Sequence, residues 1–206
     1  NPAGGGYIPR FRNLLKQETD YLRGYAAGFS AWRGSSSDQS GLGLDLKDSL
    51  LNPKLGIWGV GSHMMGETIP KASNYVALDD KQQDDWGVPL LKIAVEYDDN
   101  DAKMKKDYLD TMEEMFTVAG FSNIQRNESS QAPGLDIHEM GGARMGLDPK
   151  TSMLNKWNQI HAVPNVFVTD GAAMTSTSTQ NPSLTYMAFS ARAVDYAVQE
   201  MKKGSF

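Results

Sequence analysis

Met104, Tyr108, Met112, Met115 and Phe116 recur at spacings of three and four, and no other feature constrains the fold as tightly. Side chains so spaced share a face only on a helix, so one is expected from about Asp101 to Ala119. Gly120 suits its stop, where a left-handed residue costs glycine little. A methionine stripe of this kind reads as core packing rather than as a cofactor box. Leu184, Met187, Ala191, Val194, Val198 and Met201 form a second stripe, which predicts a helix from Pro182 to about Lys203 with that face buried. Pro182 fits the first helical position, Lys202 and Lys203 the negative end of the dipole, and Gly204 the stop.

Strand patterns separate the two stripes. Leu55 to Met65, Asn74 to Leu78 and Leu90 to Tyr97 read as strands, with a turn at Gly66 and Pro70 and a polar connection beginning at Asp79-Asp80. Pro89 precedes the third, where a missing N–H is tolerated. Gly34 to Gly43 is rich in Ser and Gly and reads as a loop. Asn165 to Gly171 is a short buried-strand pattern ending in a turn. The segment Tyr7 to Arg33 mixes aromatics with Arg and Gly, and periodicity assigns it no element. Strands mixed with two long helices indicate an α+β or α/β arrangement.

Composition removes several functions. Lys and Arg number 20 against 25 Asp and Glu, a net charge of −5, and a nucleic-acid partner would want a basic face. No apolar run is long enough to span a membrane. The absence of cysteine excludes disulfides, thiolate metal sites and thiol nucleophiles. His63, His138 and His161 lack the close pairing a metal site would need, so no metal is expected. Asn1-Pro2-Ala3-Gly4-Gly5-Gly6 has no initiator Met and no signal-peptide pattern, and reads as a chain beginning mid-protein or as a processed product. Any targeting signal would then lie outside the chain, leaving periplasm and cytoplasm equally open for a soluble protein.

Three constellations could carry chemistry. His138 precedes Glu139-Met140-Gly141-Gly142-Ala143-Arg144-Met145-Gly146, and a His beside paired glycines can lie close to a flat ligand. The competing reading is a core or turn histidine held by backbone. Asn181 stands before Pro182-Ser183 at a helix start, as a simple N-cap or as a side chain turned to a ligand at the positive helix end. Asp170 ends the Val166-Phe167-Val168-Thr169 run, as a turn former or as a partner for a cofactor hydroxyl. Gly59-Val60-Gly61-Ser62-His63-Met64 begins like a dinucleotide fingerprint but lacks its third Gly, and Gly4-Gly5-Gly6 fails likewise. No Gly-x-Ser-x-Gly elbow supports a hydrolase.

Taken in order, His138 to Pro149, Asn165 to Gly171 and Asn181-Pro182-Ser183-Leu184-Thr185 resemble the C-terminal part of the glucose–methanol–choline (GMC) oxidoreductases. The branch they are most similar to holds enzymes like pyranose 2-oxidase, fructose dehydrogenase and glucoside 3-dehydrogenase. The likeness is dense from about Gly134 to Lys203. It is looser over Tyr7 to Asn13, Tyr21 to Tyr25 and Glu67 to Gly120, where Asn74 to Asp79 and Trp86-Gly87 also fit.

The resemblance implies an α+β flavoprotein fragment. Residues 1–133 would form a substrate-binding domain with a mixed or antiparallel sheet. Residues 134–206 would supply the C-terminal strand and helix of an FAD-binding domain whose N-terminal βαβ unit is absent. It implies FAD as cofactor and oxidation of an alcohol group of a sugar or polyol. His138 would be the catalytic base and Asn181 a second catalytic side chain. Asp170, Gly171, Asn181, Pro182 and Ser183 would contact the flavin, while His63 and His161 match no motif and are left structural. The expected partners are a carbohydrate or polyol, the N-terminal FAD-binding half or a partner chain carrying it, and an electron-acceptor subunit. The rival from another class is a non-catalytic interaction module that kept the fold.

Overall fold

The computed structural model describes residues 4–36, 41–128, 131–135 and 137–205. Its elements run β1 (Gly5–Ile8), β2 (Tyr25–Ser36), α1 (Gly43–Leu51), β3 (Lys54–Gly66), β4 (Tyr75–Gln83), β5 (Pro89–Ala94), α2 (Asp99–Val118), β6 (Gln159–Ile160), β7 (Val163–Phe167), a 3-10 turn (Gly171–Ala173) and α3 (Ser183–Lys202). The strands form an antiparallel β1-β2-β3 sheet and two antiparallel pairs, β4-β5 and β6-β7. Helices beside antiparallel sheets match the α+β expectation.

The α2 stripe is core, as its spacing predicts. Met104, Tyr108 and Met112 are buried, and Met115 and Phe116 pack against the same cluster. Burial of each methionine contributes about 1.5–3 kcal/mol. The helix begins two residues earlier than expected, because the Asp98 carboxylate accepts from the Asn100 and Asp101 N–H groups while Asp101 closes the box from the other side. It ends at Gly120, φ +82°, where the Phe121 N–H donates to Phe116 O (3.0 Å) and the Gly120 N–H to Thr117 O (3.0 Å).

Alternation along β2 decides which side of the sheet this helix covers. Tyr25, Ala27 and Phe29 face α2, with Tyr25 and Tyr108 edge to face at 5.5 Å and Phe29 meeting Phe116 at 6.1 Å. Gly28, Ser30 and Trp32 therefore face the other way. One acid anchors the helix to the chain start. Asp107 accepts hydrogen bonds from the Arg12 guanidinium (3.0 Å), the Tyr21 hydroxyl (2.8 Å) and the Tyr25 hydroxyl (2.7 Å). Burial, reinforced by Asp107, raises the Tyr21 phenol well above its usual range; burial pushes Tyr25 up to about 12. Both hydroxyls thus remain donors.

Several expectations need correction. The strand from Asn74 does not yield to a polar connection at Asp79: β4 runs on to Gln83, and the turn falls at Asp84, whose carboxylate accepts from the Trp86 and Val88 N–H groups at 2.9 Å each. Strand β2 extends to Ser36 and α1 begins at Gly43, so both edges of the expected Ser/Gly loop are ordered backbone; residues 37–40 lie outside the described residues. The buried strand expected over Asn165 to Gly171 is instead β7, which stops at Phe167 and is exposed at every residue but Phe167. Pro182 is the N-cap of α3, not its first helical residue, and Asn181 stands one position further out.

The largest correction concerns α3. Leu184, Met187, Val194 and Met201 are exposed at 79%, 65%, 61% and 62%, so the stripe expected to be buried faces outward. The helix docks instead through Trp157 stacked on Tyr196 (4.8 Å, 5° between planes), Arg192 donating to the fully buried Asn158 (2.7 Å), and Ser190 donating to Thr169 (2.9 Å). Periodicity locates an apolar stripe; it does not say what covers it. No helix among the described residues is long and apolar enough to cross a membrane.

Replacing Asp107 by Ala takes the Tyr21 hydroxyl's partner at a cost of about 1–3 kcal/mol, leaves Tyr25 with only a 3.3 Å bond to Thr111, and breaks the Arg12 ion pair. We expect a loss of roughly 2–4 kcal/mol in urea denaturation, and a smaller loss, about 1 kcal/mol, for Tyr25→Phe.

Candidate functional site

The C-terminal constellations meet through backbone. The Ala143 N–H donates to Ala172 O (2.9 Å), Met145 N–H to Ala173 O (3.1 Å) and Gly141 N–H to Gly171 O (3.4 Å). These bonds lay the stretch after His138 along the turn after Asp170. The approach depends on Gly171, which is buried: a Cβ there would stand 2.7 Å from Glu139 O, 2.7 Å from the Tyr186 hydroxyl and 3.1 Å from Met140 Sδ. Gly171 thus makes room for the chain's own atoms. Tyr186, on the second turn of α3, also donates weakly to Met140 Sδ at 3.9 Å. Burial first, then the Asp170 and Glu139 carboxylates, raises its phenol above the ordinary value.

His138 enters this assembly in the left-handed region, φ +71°. For a residue with a Cβ that conformation costs about 1–2 kcal/mol. His138 is half-buried. Asp170 does act as a turn former, accepting from the Ala172 N–H at 3.0 Å, yet its side chain remains exposed.

Asn181 is exposed and caps nothing. With no side chain capping α3, the N–H groups of its first turn stay available at the positive end of a 20-residue helix. The contact of Met140 with Tyr186 brings the two segments together: His138 lies two residues before one partner and Asn181 five before the other. No hydrogen bond joins His138 to Asn181 among the described residues.

The loop between the turn and α3 is fastened to the three-stranded sheet. Ser176 hydrogen-bonds Glu67, and the Tyr7 hydroxyl donates to Thr179 O at 2.8 Å. Glu67 is only 6% exposed and lies 3.8 Å from Arg10 and 3.7 Å from Arg23, while its Oε2 has no hydrogen-bond partner. Neither Tyr7 nor Glu67 stands out in the sequence as a site residue; only the tertiary approach of residues 109 and 172 positions apart in the chain reveals them. His161 is structural, its Nε2 within 3.2 Å of Ser152 Oγ and Gly146 O.

The His138 segment, the turn after Asp170 and the loop before α3 are thus joined to one another and to the sheet. Residues 70–190 match the GMC oxidoreductase family, and the chain belongs to that family of flavoproteins. It is similar to 2-methyl-1,2-propanediol dehydrogenase of Mycolicibacterium austroafricanum, at 35% identity over 66% of this chain and 25% of that protein. It is similar to paromamine 6'-oxidase of Streptomyces fradiae, at 35% identity over 60% of this chain and 23% of that protein. With the fructose dehydrogenase large subunit of Gluconobacter japonicus it shares 25% identity over 98% of this chain and 38% of that protein. The chain therefore spans between about a quarter and two fifths of the length of these relatives.

Gly171→Ala forces a methyl group against Glu139 O. We expect a stability loss of about 1–3 kcal/mol by thermal or urea unfolding, the usual cost of overpacking.

Proposed function

We propose that this chain is the substrate-side and C-terminal part of an FAD-dependent enzyme that oxidises an alcohol group of a sugar or polyol. The observation that carries the reading is the meeting of the His138 segment, the Asp170–Gly171 turn and the uncapped start of α3. The names of the relatives, among them fructose dehydrogenase and paromamine 6'-oxidase, support the substrate class. In this reading residues 1–133 bear the substrate and residues 134–206 meet the cofactor. The exposed stripe of α3 is the face on which the nucleotide-binding part, in the same polypeptide or a partner, packs. An electron-acceptor subunit is a further partner under the same reading.

The residues fit a flavin. Asp170 offers an exposed carboxylate to a ribityl hydroxyl. Gly171 lets the turn lie flat against the His138 segment. The Asn181 side-chain amide and the N–H groups from Ser183 onward present donors and a positive dipole end to the ring edge that gains negative charge, while Pro182, which has no N–H, sets the start of the helix against the ring. The flavin, when bound, supplies the acceptor for the hydride that leaves the alcohol carbon.

The chain's own part is proton handling and orientation. An alcohol carbon gives up hydride readily only as its hydroxyl proton leaves. His138, half-buried at the edge of this assembly, takes that proton as general base. Asn181 donates its amide N–H to the same oxygen and holds the carbon in line, which lowers the entropic part of the barrier. The C–O bond becomes C=O, the proton resides on imidazole, and the electron pair leaves with the hydride.

In the flavin-loaded protein, His138→Ala should retain the cofactor and slow flavin reduction by about 10²-fold or more in stopped flow. An unchanged rate would remove His138 from the role. Asn181→Ala should also slow reduction with flavin retained.

A further inference from the structure

The side of the three-stranded sheet turned away from α2 is unlike a bare strand surface. By register, Gly28 pairs with His63, Ser30 with Gly61, and Trp32 with Gly59. Large rings occupy the space over the glycines. A Cβ on Gly28 would stand 2.2 Å from Cε1 and 2.3 Å from Nε2 of His63. On Gly59 it would stand 2.7 Å from Trp32 Cε2, and on Gly61 3.2 Å from Trp32 Cζ3. The indole thus lies along β3 over two glycines, with 52% of the residue still exposed, and His63 is exposed beside it. Ser30, also exposed, sits between them.

This face leads directly to the Asn181 loop. Tyr7 pairs with Gly28 from the other side, so Tyr7 and His63 flank the same glycine, and it is the Tyr7 hydroxyl that bonds Thr179 O. Alternation carries the face from His63 through Met65 to Glu67, about 13 Å along the strand. There Glu67 hydrogen-bonds Ser176, and its buried Oε2 lies 3.8 Å from Arg10 with no hydrogen bond among the described residues. One end of the face is covered by the loop that bears Asn181; the other presents rings, a hydroxyl and an imidazole.

We propose that this glycine-floored face, walled by Trp32 and His63, is where the ring of a carbohydrate or cyclic polyol stacks. It rests on the reading of the previous subsection and names two residues that select the substrate within it. The C–H face of a sugar ring packs on an exposed indole without loss of hydrogen bonding, since its hydroxyls project sideways. Ser30 Oγ and the His63 ring nitrogens then meet hydroxyls at the edge, the few polar groups that orient a ligand on an otherwise apolar surface. Gly28, Gly59 and Gly61 are required because any Cβ would lift the rings off the sheet and fill the space between them and the loop.

The test uses the flavin-loaded protein with a panel of cyclic probes (methyl glucoside, free pyranoses, cyclitols) and of acyclic alcohols headed by 1,2-propanediol. Flavin absorbance reports integrity and stopped-flow reduction reports turnover. Trp32→Ala and His63→Ala should each raise KM for the cyclic probes by about 10-fold or more, and by several-fold more than KM for the acyclic alcohols. Gly28→Ala, which displaces His63, should act in the same direction, and Trp32→Phe should recover part of the loss. Unchanged KM values for the cyclic probes in Trp32→Ala and His63→Ala would overturn the proposal and leave the oxidoreductase reading intact. A wild type reduced by acyclic alcohols alone would do the same. A wild-type flavin reduced by no probe would overturn both.

Discussion

The approach of two backbone strips, 141–145 and 171–173, is the constraint on which the C-terminal region depends. Three N–H groups of the first reach carbonyls of the second, and the fit is possible because Gly171 has no side chain to intrude on Glu139 O and Tyr186. The bonds fix where the chain leaves His138 and where it enters α3. They hold a residue in a left-handed conformation that its own backbone disfavours, a strain the surrounding ladder offsets.

A second linkage ties this region to the sheet. Glu67, just past the end of β3, and Tyr7, on β1, both reach the loop between the 3-10 turn and α3. The sheet that carries them packs on α2, whose own place depends on Asp107 gathering Arg12, Tyr21 and Tyr25. A path of packed and hydrogen-bonded groups thus runs from α2 through the sheet to the loop of Asn181. On the side away from α2, Gly28 stands opposite His63 and Gly59 opposite Trp32, while the α2 side carries Tyr25, Ala27 and Phe29 in the same strand.

Much of the local structure was legible. The α2 stripe, the Gly120 stop and the strands near Leu55 and Leu90 follow from periodicity and from the conformational freedom of glycine, which are local properties. The order of the His138, Asp170 and Asn181 motifs was specific enough to indicate the family, which the match over residues 70–190 bears out. Other features were not legible. The Tyr7 to Arg33 stretch hid two strands, because Gly and Arg interrupt its alternation; Gly28 interrupts it only to admit His63. Asn181 and Pro182 sit one position further from the helix than turn chemistry suggests, and the apolar stripe of α3 lies outward.

The sequence by itself determined the α2 helix and its stop, the strands near Leu55 and Leu90, and which family the chain belongs to, since spacing, capping and motif order are properties of neighbouring residues. Only the tertiary structure decided which face of each element is covered, that Gly171 is needed by packing, and that Glu67, Tyr7, His63 and Trp32 lie on the side of the sheet that the Asn181 loop adjoins. The reason is physical: a stripe or an alternation defines two faces of equal standing, and only contact with distant residues distinguishes them.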